Sequence, residues 1–250
     1  LAQSGARDRV AEVVKLPKAA RRARPEQAIW TKQICHAPRW IQAFLRGIDC
    51  QLERIYLVDK SSYERWDVWC DAPPFGLRAI LVCKGPSGLK IVEWLASPLY
   101  DFELDRFQVT VGDPAGQALW EALAVVVAVR AWRHVWTQAT HTSINVRSDS
   151  LAALNASRTL SSSDPKMNCV MEELALVCAT GGLHMGLCSH TPGIANLLPD
   201  RLSRRYQDSG WVIPPELAQV QERRIPERKH SWWVASGLPA RQTRGALLLR

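Results

Sequence analysis

"WDVWCDAPPFGLRAILV", residues 66–82, reads as two strands joined by a tight turn. The stretch alternates at Trp66-Asp67-Val68 and then runs apolar to Cys70, Pro73-Pro74-Phe75-Gly76 breaks the strand, and a second strand resumes at Leu77. Period-two alternation punctuated by Pro and Gly is the signature of a hairpin. Asp71 falls where the first strand ends. A carboxylate there is costly to desolvate unless a cation faces it, either a basic side chain or a metal ion.

Working outward, Gly85-Pro86-Ser87-Gly88 marks a second hairpin, so three antiparallel strands are expected at 66–71, 76–84 and 89–97. Residues 98–115 carry several acids and read as irregular. "GQALWEALAVVVAVRAWRHVW" (116–136) predicts a long helix, apolar on nearly every side and therefore buried against a sheet. A strand at 143–149, helices at 150–157 and 165–180, a strand at 183–189 and a helix at 196–207 follow, with Gly181-Gly182 as a helix stop. The order β-β-β-α-β-α-α-β-α predicts an α/β fold: a mixed five-stranded sheet, three antiparallel strands and then parallel strands, flanked by helices.

The chain has 250 residues, 47% of them hydrophobic, enough for one sizeable core. It begins at Leu1 and reads as a piece of a longer product. Seven scattered cysteines without a CxxC pair, and no signal peptide, suggest reduced thiols and an intracellular setting, cytoplasm or nucleus. The longest apolar stretch, Ala122 to Val129, is too short to span a membrane. The net charge of +8 divides into +6 over residues 1–66, −1 over 67–206 and +3 over 207–250. Basic flanks around a neutral centre suit either a polyanionic partner or a solubilising role. Four parts are expected: a basic arm at 1–28, a helical segment at 29–65, the sheet domain at 66–206, and a Pro/Arg-rich tail at 207–250 without a second core. In that tail, burial of Trp232-Trp233 is favoured over stacking on bases.

Four carboxylates stand at telling places. Asp71 ends the first strand, Asp149 ends the fourth, and Asp200 lies in the last helix. Glu121 is the only acid between Asp113 and Asp149, inside the most apolar helix. A shared site for Mg²⁺ explains all four, since hard cations take oxygen ligands and paired ions roughly 3.5–4 Å apart serve phosphodiester hydrolysis. Taken singly, Asp149 also suits a helix N-cap and Asp200 a surface position.

These residues and their motifs resemble the ribonuclease H domain of retroelement reverse transcriptases. "CDAPPFG" (70–76), "ALWEALAV" around Glu121, "RSDSLAAL" (147–154) and "HTPGIANLLPDRLSR" (190–204) match the family's four motifs in order. The resemblance covers a little over half the chain. Arg78 departs from it, standing where the family has a small residue, and Pro199 replaces the usual Ala before Asp200. Proline fits there if the helix begins near Leu197.

The resemblance implies an endonuclease that cuts the RNA strand of an RNA–DNA hybrid, leaving a 3′-hydroxyl and a 5′-phosphate. It implies two Mg²⁺ ions, with Mn²⁺ as a substitute and no small-molecule cofactor. Asp71 would bridge them, Asp200 would complete one site, and Glu121 and Asp149 the other. His190 would assist proton transfer or product release. The 29–65 segment would correspond to the connection region, with the polymerase portion of the same polyprotein as partner. No Asp-Asp pair occurs, so the chain itself lacks a polymerase site. Lys84, Lys90, Arg147 and the flanks are candidates for backbone phosphates. Two rivals remain: a decayed nucleic-acid-binding remnant, and an integrase or transposase of the same fold.

Overall fold

A computed structural model describes residues 36–47, 65–136, 142–192, 196–206 and 210–235. The expected arm at 1–28 and most of the 29–65 segment lie outside the described residues. Strands β1 (Arg65–Asp71), β2 (Gly76–Gly85) and β3 (Gly88–Pro98) form the antiparallel meander. Next come β4 (Thr142–Ser148), parallel to β1, and β5 (Leu183–His190), parallel to β4. The five-stranded mixed sheet read from the sequence is present. It gains a sixth member, the two-residue β6 (Gln221–Glu222) on the outer edge of β3, giving the order β5-β4-β1-β2-β3-β6.

Helix α1 (His36–Gly47) precedes the sheet, and α2 (Asp101–Phe107) occupies the segment read as irregular. Seven residues give too little periodicity to see. The helix begins where the Tyr100 N–H donates to Glu103 Oε2 at 3.1 Å, and it ends at Gln108, which takes a left-handed φ of 50°. The long expected helix is two: α3 (Gln117–Ala131) and α4 (Arg133–Trp136). Helices α5 (Leu151–Thr159), α6 (Pro165–Gly181) and α7 (Leu197–Ser203) complete the set. Pro199 sits in the first turn of α7, where its missing N–H has no helical partner to lose.

Both faces of the sheet are covered. Val68, Cys70, Ala79, Leu81 and Leu95 pack with α3, α5 and α6, and every residue of α3 from Leu119 to Val129 is buried. This explains why α3 has no polar face. The alternate residues Ile80, Val82, Trp94 and Ala96 pack on the other face with Leu202 of α7 and Leu217. Among the described residues, no helix is long and apolar enough to cross a membrane.

Packing continues beyond residue 206, where the sequence suggests the domain ends. The described tail residues, 210–235, pack on the core of the sheet. Arg223 clamps Glu93 with both Nε (2.9 Å) and Nη2 (2.7 Å), and its N–H donates to Trp94 O. Arg228 and Glu103, both fully buried, form a two-pronged pair, and Arg228 Nη1 also donates to Ser97 Oγ at 2.7 Å. Trp233 is buried edge-on against Phe107, while Trp232 is half-buried beneath the Arg130 guanidinium. The edge of β3, otherwise a row of open backbone groups, is thereby covered at Glu93 and Trp94.

Candidate metal centre

The site lies at the carboxyl ends of the neighbouring parallel strands β1 and β4, the end of a sheet where backbone chains diverge and leave a crevice. Asp71 is the last residue of β1 and is nearly buried. Asp149 follows the last residue of β4 and is exposed. It does not cap α5: Ser150 does, accepting the Ala153 N–H at 3.2 Å. Glu121 enters from α3, 1% exposed. One carboxylate oxygen from each of Asp71, Glu121 and Asp149 lies within 4.8 Å of the others.

Glu121 is tied to both strands. Its Oε1 accepts from the Ala72 N–H (3.2 Å) and from Gln117 Nε2 (3.1 Å), and its Oε2 accepts from Ser148 Oγ (2.9 Å). Gln117 also donates to Ala72 O at 2.9 Å. The start of α3 is thus stitched to the ends of β1 and β4, and the Glu121 carboxyl group is held inside the protein. Burial, then the charges of Asp71 and Asp149, push Glu121 up to about 8 against these hydrogen bonds. Burial likewise pushes Asp71 up to about 6, with Arg78 pulling the other way and Asp149 and Asp200 adding to the rise.

Asp200 stands in the first turn of α7, exposed and outside the group of three, yet near enough for its charge to bear on Asp71. His190 is the last residue of β5, exposed and in register with Ser148, whose hydroxyl holds Glu121. Arg147 is engaged already: it pairs with Asp67 at 2.8 Å and lies over Trp69. Lys84 and Lys90 are exposed near the opposite end of the hairpin from Asp71.

The sequence reading left out Arg78 as a partner. It is fully buried, directly opposite Asp71 in the β1–β2 register, and its Nη1 lies 3.4 Å from Asp71 Oδ2. The salt bridge raised as one answer to the Asp71 charge therefore exists. It leaves two further carboxyl groups beside Asp71, those of Glu121 and Asp149. Hard oxygen donors, close spacing and raised carboxyl pKa values all fit a divalent cation. Gln117 and Ser148 also escaped notice, since neither belongs to a charged motif.

Among solved structures, the chain is similar to the ribonuclease H1 of the halophilic archaeon Halobacterium salinarum NRC-1, at 15% identity and a TM-score of 0.40, covering 55% of this chain and 93% of that one. It is also similar to LC11-RNase H1, isolated from compost by a metagenomic approach, at 12% identity and a TM-score of 0.37, covering 56% and 93%. No family model matches the chain. No curated protein matches it either.

Proposed function

We propose that the chain is a divalent-metal-dependent nuclease that hydrolyses the RNA strand of RNA–DNA hybrids and forms part of a retroelement polyprotein. The observation that carries this reading is the meeting of Asp71, Glu121 and Asp149, from three separate elements, within 4.8 Å at the carboxyl ends of two parallel strands. The order of its four sequence motifs supplies the substrate class.

In this reading Asp71, Glu121 and Asp149 hold the cation, Mg²⁺ or Mn²⁺, and Asp200 approaches from α7. A bound divalent ion supplies Lewis acidity toward a phosphate oxygen. Glu121, fixed by Ala72 and Ser148, keeps its side of the centre rigid, so that the geometry is set before substrate arrives. Exposed His190, beside Ser148, is placed to exchange a proton with solvent as product leaves. Recognition of RNA rests on 2′-hydroxyl contacts, and exposed basic side chains hold phosphates without reading sequence.

The test is cleavage of an end-labelled RNA–DNA hybrid with Mg²⁺, beside the same duplex in all-DNA form. Hybrid-selective cutting that Asp71→Asn abolishes supports the reading. Cutting of DNA ends instead points to the transposase class. A folded protein that binds hybrid but never cuts it overturns the nuclease. That outcome is the second reading, a binding remnant, and the Arg78–Asp71 pair is the observation in its favour.

A further inference from the structure

Arg78 is an expensive residue to bury. A guanidinium loses its hydration inside a sheet and persists there only opposite a carboxylate. It lies on the middle strand β2, on the face that also carries Ile80 and Val82, with its Nη1 on Asp71 Oδ2. Tyr206 roofs that corner: a Cβ built on Gly76, two residues before Arg78, would meet Tyr206 Cδ2 at 2.8 Å. A guanidinium keeps its proton inside proteins. The positive charge is therefore permanent, enclosed, and seated on a carboxylate that the metal reading needs.

We propose that Arg78 is a built-in cation of the carboxylate centre: it holds Asp71 in position in the metal-free protein and weakens the binding of divalent ions there. The inference rests on the metal-centre reading and assigns Arg78 a positioning role. Two effects follow from one contact. A guanidinium on Asp71 engages an oxygen of that carboxylate, and its charge repels a second cation only a few ångströms away. The same contact offsets the charge of Asp71 in the metal-free fold, against Asp149 and Asp200. Removing the charge therefore makes the fold more dependent on metal and the metal tighter.

The experiment is Mn²⁺ titration of the whole chain by calorimetry, with thermal melts in EDTA and in Mn²⁺, for the wild type, Arg78→Gln, Arg78→Lys and Asp71→Asn. Arg78→Gln keeps a donor toward Asp71 without the charge. It is expected to bind Mn²⁺ about tenfold more tightly or better, and to show a larger Mn²⁺-induced rise in melting temperature. Arg78→Lys restores the charge and the weaker wild-type affinity. If Arg78→Gln is unfolded in EDTA, refolding by Mn²⁺ below the wild-type binding midpoint is the expected result, and failure to refold overturns the proposal. Unchanged affinity in Arg78→Gln, with wild-type binding that Asp71→Asn removes, overturns the role of Arg78 and leaves the metal centre standing. Binding that Asp71→Asn leaves untouched, or no binding by any variant, overturns the metal centre itself and the proposal with it.

Discussion

Among the described residues two arginines are buried completely, and the two are treated differently. Arg228 meets Glu103 with Nε and Nη2, spends Nη1 on Ser97 and Nη2 also on Pro98 O, and lies over the Tyr100 ring. Arg78 meets Asp71 with Nη1 at 3.4 Å, and Asp71 still sits above the usual carboxylate range because burial and two further carboxylates outweigh it. The first pair balances its charges and ties the tail to the sheet. The second leaves negative charge over. A closed pair is a fastener, while the second lies within a group of carboxylates that could hold a metal ion.

The sharpest break of that comparison is at the Asp71–Arg78 pair. Asp71→Asn is expected to reduce hybrid cleavage about a thousandfold or more, by removing a ligand, and also to lower the melting temperature in EDTA, because it leaves the buried Arg78 guanidinium without its carboxylate while the fold is kept. A parallel loss of folding would make Asp71 as structural as Glu103. Arg228→Ala is the matching change at the closed pair. It strands a fully buried Glu103 and is expected to cost about 3–5 kcal/mol in urea unfolding, with any remaining folded protein binding Mn²⁺ normally.

The pH response should separate the two regions as well. Glu121 ionises near 4.5 when unfolded and near 8 when folded, so the folded state holds a proton that the unfolded state has released. Its stabilising contribution is complete below pH 4.5 and is lost as pH rises through 8. The metal-free protein should therefore melt lower as pH goes from 5 to 9, with a slope of up to about 1.4 kcal/mol per pH unit. Glu121→Gln should flatten that slope, and an equally steep slope in the variant would place its origin elsewhere. Gly76→Ala presses a methyl group toward Tyr206 and Ser97 O at the roof of the Asp71–Arg78 pair, and about 1–3 kcal/mol of destabilisation is expected by thermal melt. The smallest effect belongs to Lys84→Ala with Lys90→Ala. If these exposed lysines neutralise phosphates, the salt dependence of hybrid binding falls by about one unit of slope per lysine, with activity at low salt nearly unchanged.

How much of this was legible varies with the range of the interaction. The meander could be read because the Asp71-to-Arg78 stretch carries its own punctuation, and its strands are short and locally patterned. The Asp71–Arg78 pair was itself recoverable: a two-residue turn at Pro74-Phe75 sets Pro73 against Gly76 and so Asp71 against Arg78, as the Gly76 N–H to Pro73 O bond shows. Attention to cations adjacent in sequence passed over a neighbour across the ladder. Ser150 rather than Asp149 as the helix cap was a one-residue ambiguity that only backbone geometry resolves. The Arg228–Glu103 and Arg223–Glu93 clamps join residues far apart in the chain, and no local pattern announces such partners. Convergence of Asp71, Glu121 and Asp149 was expected from their motifs, whereas the exposed seat of Asp200 outside the trio depends on how α7 lies across the sheet.

The small cluster of Ala43 from α1, Leu176 from α6 and Ala235 from the tail has a consequence of its own. It brings the first and last described stretches of chain to one spot on the surface of α6, where Trp40 also reaches Glu172 O. A unit whose way in and way out lie side by side can be carried within a longer polypeptide like a bead on a doubled thread, without stretching its host.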